Sequence, residues 1–309
     1  MALMRSTDFP ELLDTPLRKI FYLSLKDTRT EYKDWINIVE TRKAFDDDLR
    51  MAEFGQVPQH IEGDTVLFED AIEDSLRRYE SVEFALGYVI TQKMREDDQH
   101  GIMVRMTEAL RKSFRNLFEV ESYKILNNAI LATAARDQGF DRLALLSTAH
   151  TRVDGGTAQA NKPSTDVVLS NTAVEAAVVQ FHTWKGEKGL PAMLTPKKAI
   201  VSSNDQFIAA RVFKNALLAG SADNDENWVR KGPDANGISE YLPSRYLTDT
   251  DRWFILSEKS EHDLNLFVRK NPQFETHVDF ATGNFQAKGR ARIVSGFGRW
   301  YGLYGSTGA

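Results

Sequence analysis

Residues that could carry catalytic chemistry are few and scattered in this sequence. The six histidines form neither an HExxH nor an HxH spacing, so no pair is arranged to ligate a metal. Cysteine is absent, which excludes disulfides, thiolate nucleophiles, zinc–thiolate sites and iron–sulfur clusters. No GxSxG motif marks a nucleophile elbow. We therefore predict no catalytic, cofactor-binding or metal-binding residue.

Three short motifs have the composition of ligand sites but lack the residues that such sites need. In the glycine-rich stretch 156–164, Asn161 replaces the glycine of a P-loop and Pro163 replaces its Mg²⁺-binding Ser/Thr. The glycines of 296–302 have the wrong spacing for a dinucleotide turn. The acidic stretch 223–225 lacks the glycine and distal glutamate of a calcium loop. We read the first as a mobile loop and the last as a solvated one.

Composition narrows the class of protein further. The 309 residues include 39 basic and 44 acidic side chains, a net charge of -5, unlike the basic balance of a dedicated nucleic-acid binder. Hydrophobic residues are 42% and charged residues 27%, as in ordinary globular proteins. No stretch approaches the 18 or more apolar residues of a membrane span, and the first ten residues are no signal peptide. We expect no membrane partner and synthesis in the cytosol.

The middle of the chain predicts a strand followed by a long helix. Five apolar residues occupy alternate positions, the period of a strand with one buried face: Val82, Phe84, Leu86, Tyr88 and Ile90. Over 94–131, spacings of three and four make one apolar stripe: Met103, Met106, Leu110, Phe114 and Leu117. About 30 helical residues would span ~45 Å, which indicates an elongated protein.

The remaining segments predict an N-terminal region at a domain edge, a loop and a second folded unit of α/β type. Residues 1–45 have no sustained period and form either an extended arm or a short helix and strand at a domain edge. Residues 132–165 end in a loop rich in Gly, Ser, Thr and Pro. Residues 166–275 predict a separate α/β unit and residues 276–309 a return to β-structure, alternating over 285–294.

Within the α/β unit we predict two helices, a buried strand at 197–203 and three later strands. A capping box at Thr172–Glu175 begins the first helix, which Gly186 ends. Ser203 caps the second helix, whose apolar residues are Phe207, Ile208, Val212 and Leu217 and which Gly220 stops. The polar stretch 222–237 is a loop, and the strands begin near Glu240, Arg252 and Leu264.

The order of arm, long hairpin, long helix, compact α/β unit and return strand resembles the major capsid proteins of tailed bacteriophages. Their fold is called Hong Kong 97-like, and the sequence is most similar to the Mu-type branch. The likeness covers nearly the whole chain. It is carried in order by VPQHIEGDTVLFED and by the runs at 79–98, 145–170, 188–212, 246–258 and 298–309.

The resemblance implies an α+β fold with an N-terminal arm, an extended β-hairpin loop, a long spine helix, and peripheral and axial domains. It assigns the arm to 1–45, the hairpin loop and its return strand to 46–92, the peripheral domain with the spine helix to 93–165, the axial domain to 166–275, and the peripheral return strand and C-terminal tail to 276–309.

The same resemblance implies a structural protein without an active site. Copies would assemble as pentamers and hexamers into an icosahedral shell around double-stranded DNA, in the host cytoplasm and then in the virion. The arm and hairpin would reach over neighbouring subunits, and loop 222–237 would adapt between rings. The partners it implies are a scaffolding protein, a portal protein and, in some relatives, a decoration protein.

Two departures from relatives are informative. Some lock their shells with a Lys–Asn isopeptide bond whose lysine lies in the hairpin, but no lysine occurs here between Lys43 and Lys93, so Asn284 has no such partner. We therefore expect non-covalent contacts or a decoration protein to stabilise the shell. Some relatives begin with a cleaved scaffold domain, whereas the arm begins almost at once here, so we expect a separate scaffolding protein.

Basic residues offer a second type of contact. They are Arg105, Lys112 and Arg115 on the helix, and Lys288, Arg290, Arg292 and Arg299 near the C-terminus. Such residues would contact packaged DNA without reading its sequence. Glu108 and Glu119 lie on the same helix face, so the alternative is a mixed solvated surface or ion pairs between subunits.

Two alternatives to the capsid hypothesis stay open at this point. An encapsulin-type nanocompartment shell has the same fold and would be distinguished by its gene neighbours. A cytosolic α/β enzyme would need a concave pocket with perturbed ionisable groups, for which the sequence offers no constellation.

Overall fold

A computed structural model describes residues 16–22, 30–52, 54–63, 65–98, 101–218, 225–232, 237–238 and 240–308. The helices are α1 (16–22), α2 (Gln92–Glu96), α3 (Ile102–Asn127), α4 (Asn171–Thr183), α5 (Gln206–Lys214) and α6 (Trp228–Lys231). The strands are β1 (Asn37–Glu40), β2 (Phe45–Ala52), β3 (Ile72–Glu80), β4 (Val82–Ile90), β5 (Pro196–Ser202), β6 (Glu240–Ser244), β7 (Trp253–Ser257), β8 (Leu264–Val278), β9 (Phe285–Phe297) and β10 (Leu303–Ser306).

The first sheet has the order β1-β8-β9-β4, and α3 packs along one of its faces. β1 is parallel to β8, and the other neighbours are antiparallel. Alternate β9 residues are buried against the helix, among them Ala287, Ala291 and Ile293. Gly289 lies between them because the Phe114 ring of α3 occupies the place of a side chain, 2.2 Å from where its Cβ would stand.

The hairpin formed by β2 and β3 lies on the opposite face of the same sheet. Tyr79 of β3 packs with Phe267 of β8 and Val294 of β9 in a separate small core. Val294 neighbours Ile293, which faces α3, and successive residues of a strand point to opposite faces. The first sheet therefore separates the long helix from the hairpin.

The second sheet has the order β10-β7-β5-β6 and packs against α4 and α5. Ala199 and Val201 of β5 face these helices, whereas Ile200 between them belongs to the core that contains α3. The predicted α/β unit is therefore not separate, because one face of its sheet is buried in the core that also contains α3 and the first sheet.

Strand partners also differ from the predicted division at 275/276. That boundary falls inside β8, which pairs with β9 over most of its length in the first sheet. The C-terminal strand β10, which we grouped with the return strand, pairs with β7 in the second sheet. Local alternation identified these strands, but it contains no information about which sheet a strand joins.

The predicted caps of the two helices differ from those in the structure. Ser170 caps α4 by accepting a hydrogen bond from the Ala173 N–H, so the capping box at Thr172 is wrong. Ser203 donates to the Ser244 carbonyl instead of capping α5. The predicted α5 face is partly wrong, since Phe207, Ile208 and Leu217 are exposed and Ala209, Val212 and Phe213 are buried. Gly220 lies outside the described residues, as does most of loop 222–237.

The long helix is confirmed but shorter than predicted. The short helix α2 precedes it, and α3 begins at Ile102. Met106 is exposed, and Thr107 is buried in its stead. Of residues 1–45, the described part contains α1, whose Phe21 is fully buried, and the edge strand β1. It fits the predicted short helix and strand at a domain edge, and the rest of the predicted arm lies outside the described residues.

Candidate assembly surfaces

The hairpin loop carries apolar side chains that the chain itself leaves uncovered. Its described residues between β2 and β3 have no helix or strand. Val57 and Phe68 are 88% and 86% exposed, against the near-complete burial that such side chains reach in a core. Four more are also exposed: Phe54, Ile61, Val66 and Leu67. An apolar surface of this kind marks a contact with a partner.

The same loop is strongly acidic. Residues 53–71, between β2 and β3, contain five Asp and Glu and no Lys or Arg. One of them, Glu69, is held by Lys188 at 2.6 Å and also accepts the Gly55 N–H at 3.0 Å. These hydrogen bonds, above all the one from Lys188, lower the pKa of Glu69. The loop therefore presents apolar groups among carboxylates.

A buried arginine anchors the hairpin to the rest of the chain. The Arg50 guanidinium, 5% exposed, lies 2.5 Å from Glu187 and 3.3 Å from Asp74 and donates to the Thr151 carbonyl at 2.8 Å. Arg77 of β3 donates to the Gly139 carbonyl at 2.6 Å through Nε. Two arginines thus fix the root of the hairpin: Arg50 to the loops that contain Thr151 and Glu187, and Arg77 to the loop that contains Gly139.

Two carboxylates meet where the hairpin crosses the first sheet. An Asp48 oxygen of β2 and an Asp263 oxygen lie 2.8 and 2.4 Å from the point where a Cβ on Gly298 would stand. Burial, and next the charge of Asp263, raise the pKa of Asp48. One carboxylate oxygen of Asp263 accepts a hydrogen bond from the Arg299 N–H at 3.2 Å. The pair places like charges on the two elements that meet at this joint.

The predicted basic residues form two surfaces. Arg105 and Lys112 are exposed on α3 and have no ion pair among the described residues, nor does the half-buried Arg111. Arg115 is half-buried and helps to offset the buried Glu119, whose pKa is nonetheless raised, chiefly by burial. Arg105, Arg111 and Lys112 therefore make no ion pair within the described part of the chain, although Glu108 lies three or four residues from each of them on the helix.

Three of the C-terminal basic residues, Lys288, Arg290 and Arg292, lie on the other face of the sheet and are paired, whereas Arg299 lies beyond the end of β9. Lys288 lies 3.0 Å from Glu275, and both Arg290 and Arg292 lie 3.6 Å from Glu83. They alternate along β9 with the residues that face α3. The helix set and the β9 set, for which the sequence predicted the same type of contact, therefore lie on opposite faces of the first sheet.

A buried histidine–carboxylate pair was missed from the sequence. His150 Nδ1 lies 2.5 Å from Asp141, its Nε2 lies 3.2 Å from Asn161, and its ring stacks on Trp300 at 4.4 Å. Burial opposes the charge of Asp141, but the hydrogen bond with His150 prevails and lowers the pKa of Asp141. His150 is fully buried with both ring nitrogens engaged, so the pair joins loops and offers no open site. Only spatial proximity reveals it.

Within the described ranges, no group of three His, Asp or Glu could hold a metal ion. No helix in that part of the chain combines the length and apolarity needed to cross a bilayer. A groove of about 410 Å³ beside β4 contains Glu275 and Lys288, which pair with each other.

A family model described as phage capsid protein matches residues 76–306, which include α3 and both sheets. The chain belongs to the phage capsid protein family. It is a structural protein of the tailed-phage major capsid type, with the Hong Kong 97-like α+β fold that the resemblance implied. The family favours a phage capsid over the encapsulin alternative. The narrower likeness to the Mu-type branch stays a prediction.

Solved capsid structures have the same fold. The chain is similar to one from Microbacterium phage Oxtober96 (TM-score 0.56, 10% identity, 91% of this chain and 92% of that one). It is similar to the bacteriophage JBD30 capsid decorated with minor capsid protein trimers (TM-score 0.57, 12% identity, 80% and 100%). A virus-like particle from Pyrococcus furiosus is also similar (TM-score 0.54, 9% identity, 94% and 98%). No curated protein matches the sequence.

Proposed function

We propose that this capsid protein assembles with copies of itself, as pentamers and hexamers, into a closed icosahedral shell that encloses double-stranded DNA. Assembly takes place in the host cytoplasm, and the protein ends in the virion. Membership of the capsid family over residues 76–306 supports this proposal, and the exposed apolar hairpin is the structural observation that carries it.

The hairpin loop is the main contact to a neighbouring copy. Burying one apolar side chain of this size is worth about 1.5–3 kcal/mol, and the loop exposes six. Its root is fixed by Arg50 and Tyr79, so the two strands that carry the loop need no further ordering on docking. Contacts of this kind, repeated around closed symmetry, give a stable shell from weak pairs.

The two sheets correspond to the two domains of the fold. The first sheet with α3 serves as the peripheral domain, and the second sheet with α4 and α5 serves as the axial domain around the symmetry axes. A scaffolding protein guides closure, a portal protein occupies one vertex, and a decoration protein is an optional outer partner.

Electron microscopy and mass photometry test the proposal on the full chain, expressed alone and with a co-expressed scaffolding protein. We expect closed shells, or pentamers and hexamers that convert to shells. A compact monomer or dimer under both conditions would refute shell assembly.

A pair of variants tests the hairpin contact. Phe68→Asp places a charge in the apolar surface, and we expect it to abolish shells while the purified chain unfolds at the same denaturant concentration as the unchanged protein. The control Gln59→Asp adds a charge to the same exposed loop outside the apolar set and should still assemble. Equal assembly by both variants would show that the apolar surface of the hairpin is not part of the interface.

A further inference from the structure

The carboxylates of Asp48 and Asp263 lie side by side without a cation from the chain between them. Their Oδ2 atoms are 2.8 and 2.4 Å from the position that a Cβ on Gly298 would take, so their separation cannot exceed the sum of these distances. Both side chains are half-buried, and neither makes an ion pair in the part of the chain that the structure describes. Like charges this close repel each other unless a proton or a cation lies between them.

A buried hydroxyl faces the same place. Tyr79 is 2% exposed, and its Oη has no hydrogen-bond partner among the described residues. Tyr79 pairs with Asp46 in the register of the hairpin, so Asp48, two residues further along β2, is on the same side of the hairpin. The charges of Asp48 and next of Asp263 add to the effect of burial and raise the pKa of this hydroxyl, so both carboxylates are within its electrostatic reach. A buried polar atom of this kind indicates a bound group that completes its hydrogen bonds.

The neighbouring arginines are engaged elsewhere. The guanidinium of Arg299 is exposed and lies over the ring of Tyr301, 5.8 Å from its centroid, so its charge offsets that of Asp48 only in part. Arg77 donates through Nε to the Gly139 carbonyl at 2.6 Å. The chain therefore supplies two carboxylates and a hydroxyl at this joint but no side-chain cation that bridges them.

We propose that Asp48 and Asp263 bind one divalent cation, Ca²⁺ by preference, between the hairpin and the first sheet, and that Tyr79 accepts a hydrogen bond from a water on the ion. Calcium takes about six to eight oxygen ligands at ~2.3–2.6 Å, so two ligands on opposite sides of it are up to ~5.2 Å apart. The two Oδ2 atoms are at most ~5.2 Å apart and therefore fall within the span of one ion.

The kind of ligand and its surroundings set the selectivity and the affinity. Carboxylate and water oxygens suit Ca²⁺ and Mg²⁺ rather than zinc or copper. Mg²⁺ needs a near-ideal octahedron at ~2.0–2.1 Å, whereas Ca²⁺ tolerates ligands from two separate elements. With only two carboxylates, waters complete the coordination shell, so we expect a dissociation constant on the order of 10⁻⁴–10⁻³ M.

Binding at this joint should stabilise the folded chain. The ion replaces the repulsion between β2 and the start of β8 by attraction to both, and a ligand that binds only the folded state raises stability with its concentration. The hairpin would then be held to the sheet more firmly when Ca²⁺ is present. This inference does not depend on shell assembly, because both carboxylates belong to one chain.

Denaturant unfolding of the unassembled full chain tests the site, in EDTA and in CaCl₂ at ~10 mM and equal ionic strength. We expect a higher midpoint in CaCl₂, and a smaller rise in MgCl₂. Asp48→Asn and Asp263→Asn, which keep an acceptor oxygen, should abolish the rise. Asp47→Asn is the matched control, because its carboxylate pairs with Arg78 at 2.8 Å on the other side of β2, and it should keep the full rise.

Terbium(III) gives a second measurement that does not depend on stability, since it takes the same oxygen ligands as Ca²⁺. Its emission on excitation of the aromatic side chains should appear with the unchanged protein and with Asp47→Asn, and CaCl₂ should suppress it. Asp48→Asn and Asp263→Asn should give no such emission, and their circular dichroism should show that they are folded.

Three outcomes would overturn the site. The first is an unchanged midpoint in CaCl₂ and no terbium emission from the unchanged protein. The second is a rise that survives in both Asp48→Asn and Asp263→Asn. The third is an equal loss in Asp47→Asn, which would mean that the general acidity of β2 is sufficient. None of these outcomes concerns shell assembly, so the proposed function stands or fails separately.

Discussion

The ring of Tyr79 stacks on the ring of Phe267, with centroids 4.7 Å apart and planes inclined by 22°. This contact joins the hairpin to the sheet on the face away from α3. Gly296 makes it possible, because a Cβ there would stand 2.3 Å from the tyrosine ring. The packing of the hairpin on the sheet thus requires both the aromatic pair and the absence of a side chain at Gly296.

Two replacements of Tyr79 should separate the contribution of its ring packing to stability from the contribution of its hydroxyl group. We expect Tyr79→Ala to lower the free energy of unfolding by about 3–5 kcal/mol, because it empties a buried aromatic site. Tyr79→Phe should cost less than about 1 kcal/mol, because the hydroxyl is buried without a hydrogen-bond partner among the described residues. Denaturant unfolding of the unassembled chain measures both. A Phe variant as unstable as the Ala variant would mean that the hydroxyl is essential.

Adding a methyl group beneath the same ring should also destabilise the hairpin. Gly296→Ala forces the ring of Tyr79 to move, and we expect a cost of about 1–3 kcal/mol. Gly55→Ala is the control, because the nearest atom to its Cβ, at 3.5 Å, is an oxygen of the flexible Glu69 side chain. Amide hydrogen exchange across β2 and β3 should rise in the first variant only. Unchanged exchange in Gly296→Ala would contradict the close contact.

Two arginines of the hairpin should differ in their contribution to stability. Arg50→Met removes a buried charge that two carboxylates and a carbonyl surround, and we expect a loss of about 3–5 kcal/mol. Arg78→Met removes an exposed pair with Asp47 and should cost at most about 1 kcal/mol. Thermal unfolding of the two variants gives the comparison. Similar losses would show that burial of Arg50 is not what makes it important.

The buried His262 should make stability depend on pH. Burial, and next the charge of Lys259, lower its pKa from 6.5 to about 4. Between these values the unfolded chain binds a proton that the folded chain does not, so stability falls as pH falls from about 6.5 to 4. The loss is on the order of 3 kcal/mol. Unfolding measured over this range should show that slope.

Variants assign the slope to this residue. His262→Gln should flatten the dependence between pH 4 and 6.5, whereas His277→Gln, at an exposed position, should retain it. A slope that survives in His262→Gln would assign it to another group.

The Asp48 carboxylate at the joint of the hairpin should respond in the opposite sense. The raised pKa of Asp48 means that stability is lost as pH rises through the ordinary carboxyl range towards the folded value. Asp48→Asn removes the like charge, so we expect a higher denaturant midpoint at pH 7 and a weaker pH dependence above pH 4. Asp47→Asn, whose carboxylate has a pKa lowered by the hydrogen bond from Arg78, should not raise the midpoint. A lower midpoint for Asp48→Asn would show that Arg299 outweighs the repulsion.

Local pattern predicted the elements better than their partners. The buried strand at 197–203 and the alternating strand at 285–294 match β5 and β9, because period and apolar content are properties of neighbouring residues. β8 and β10 joined other sheets than predicted, since partner choice depends on contacts between residues far apart in sequence. The cap at Ser170 was missed because several polar residues near a helix start compete for that position.

The candidate surfaces were predictable in composition but not in arrangement. The basic residues could be read directly, yet only the register of β9 shows that Lys288 and Lys112 lie on opposite faces. The pair of His150 and Asp141 left no signal, because eight residues of irregular loop lie between its members. The exposed hairpin residues are apolar, and in the sequence they resemble core residues.

The double attachment of the hairpin has a mechanical consequence. Arg50 ties its root to Glu187 and Lys188 ties its loop through Glu69, so both ties end on the same two neighbouring residues of the segment between α4 and β5. Each half of the loop, about nine residues long, can reach at most ~30 Å from the root. Through this lever a rotation of 10° at the second sheet moves the tip by ~5 Å, so small changes near the axes are amplified at the far end of the hairpin.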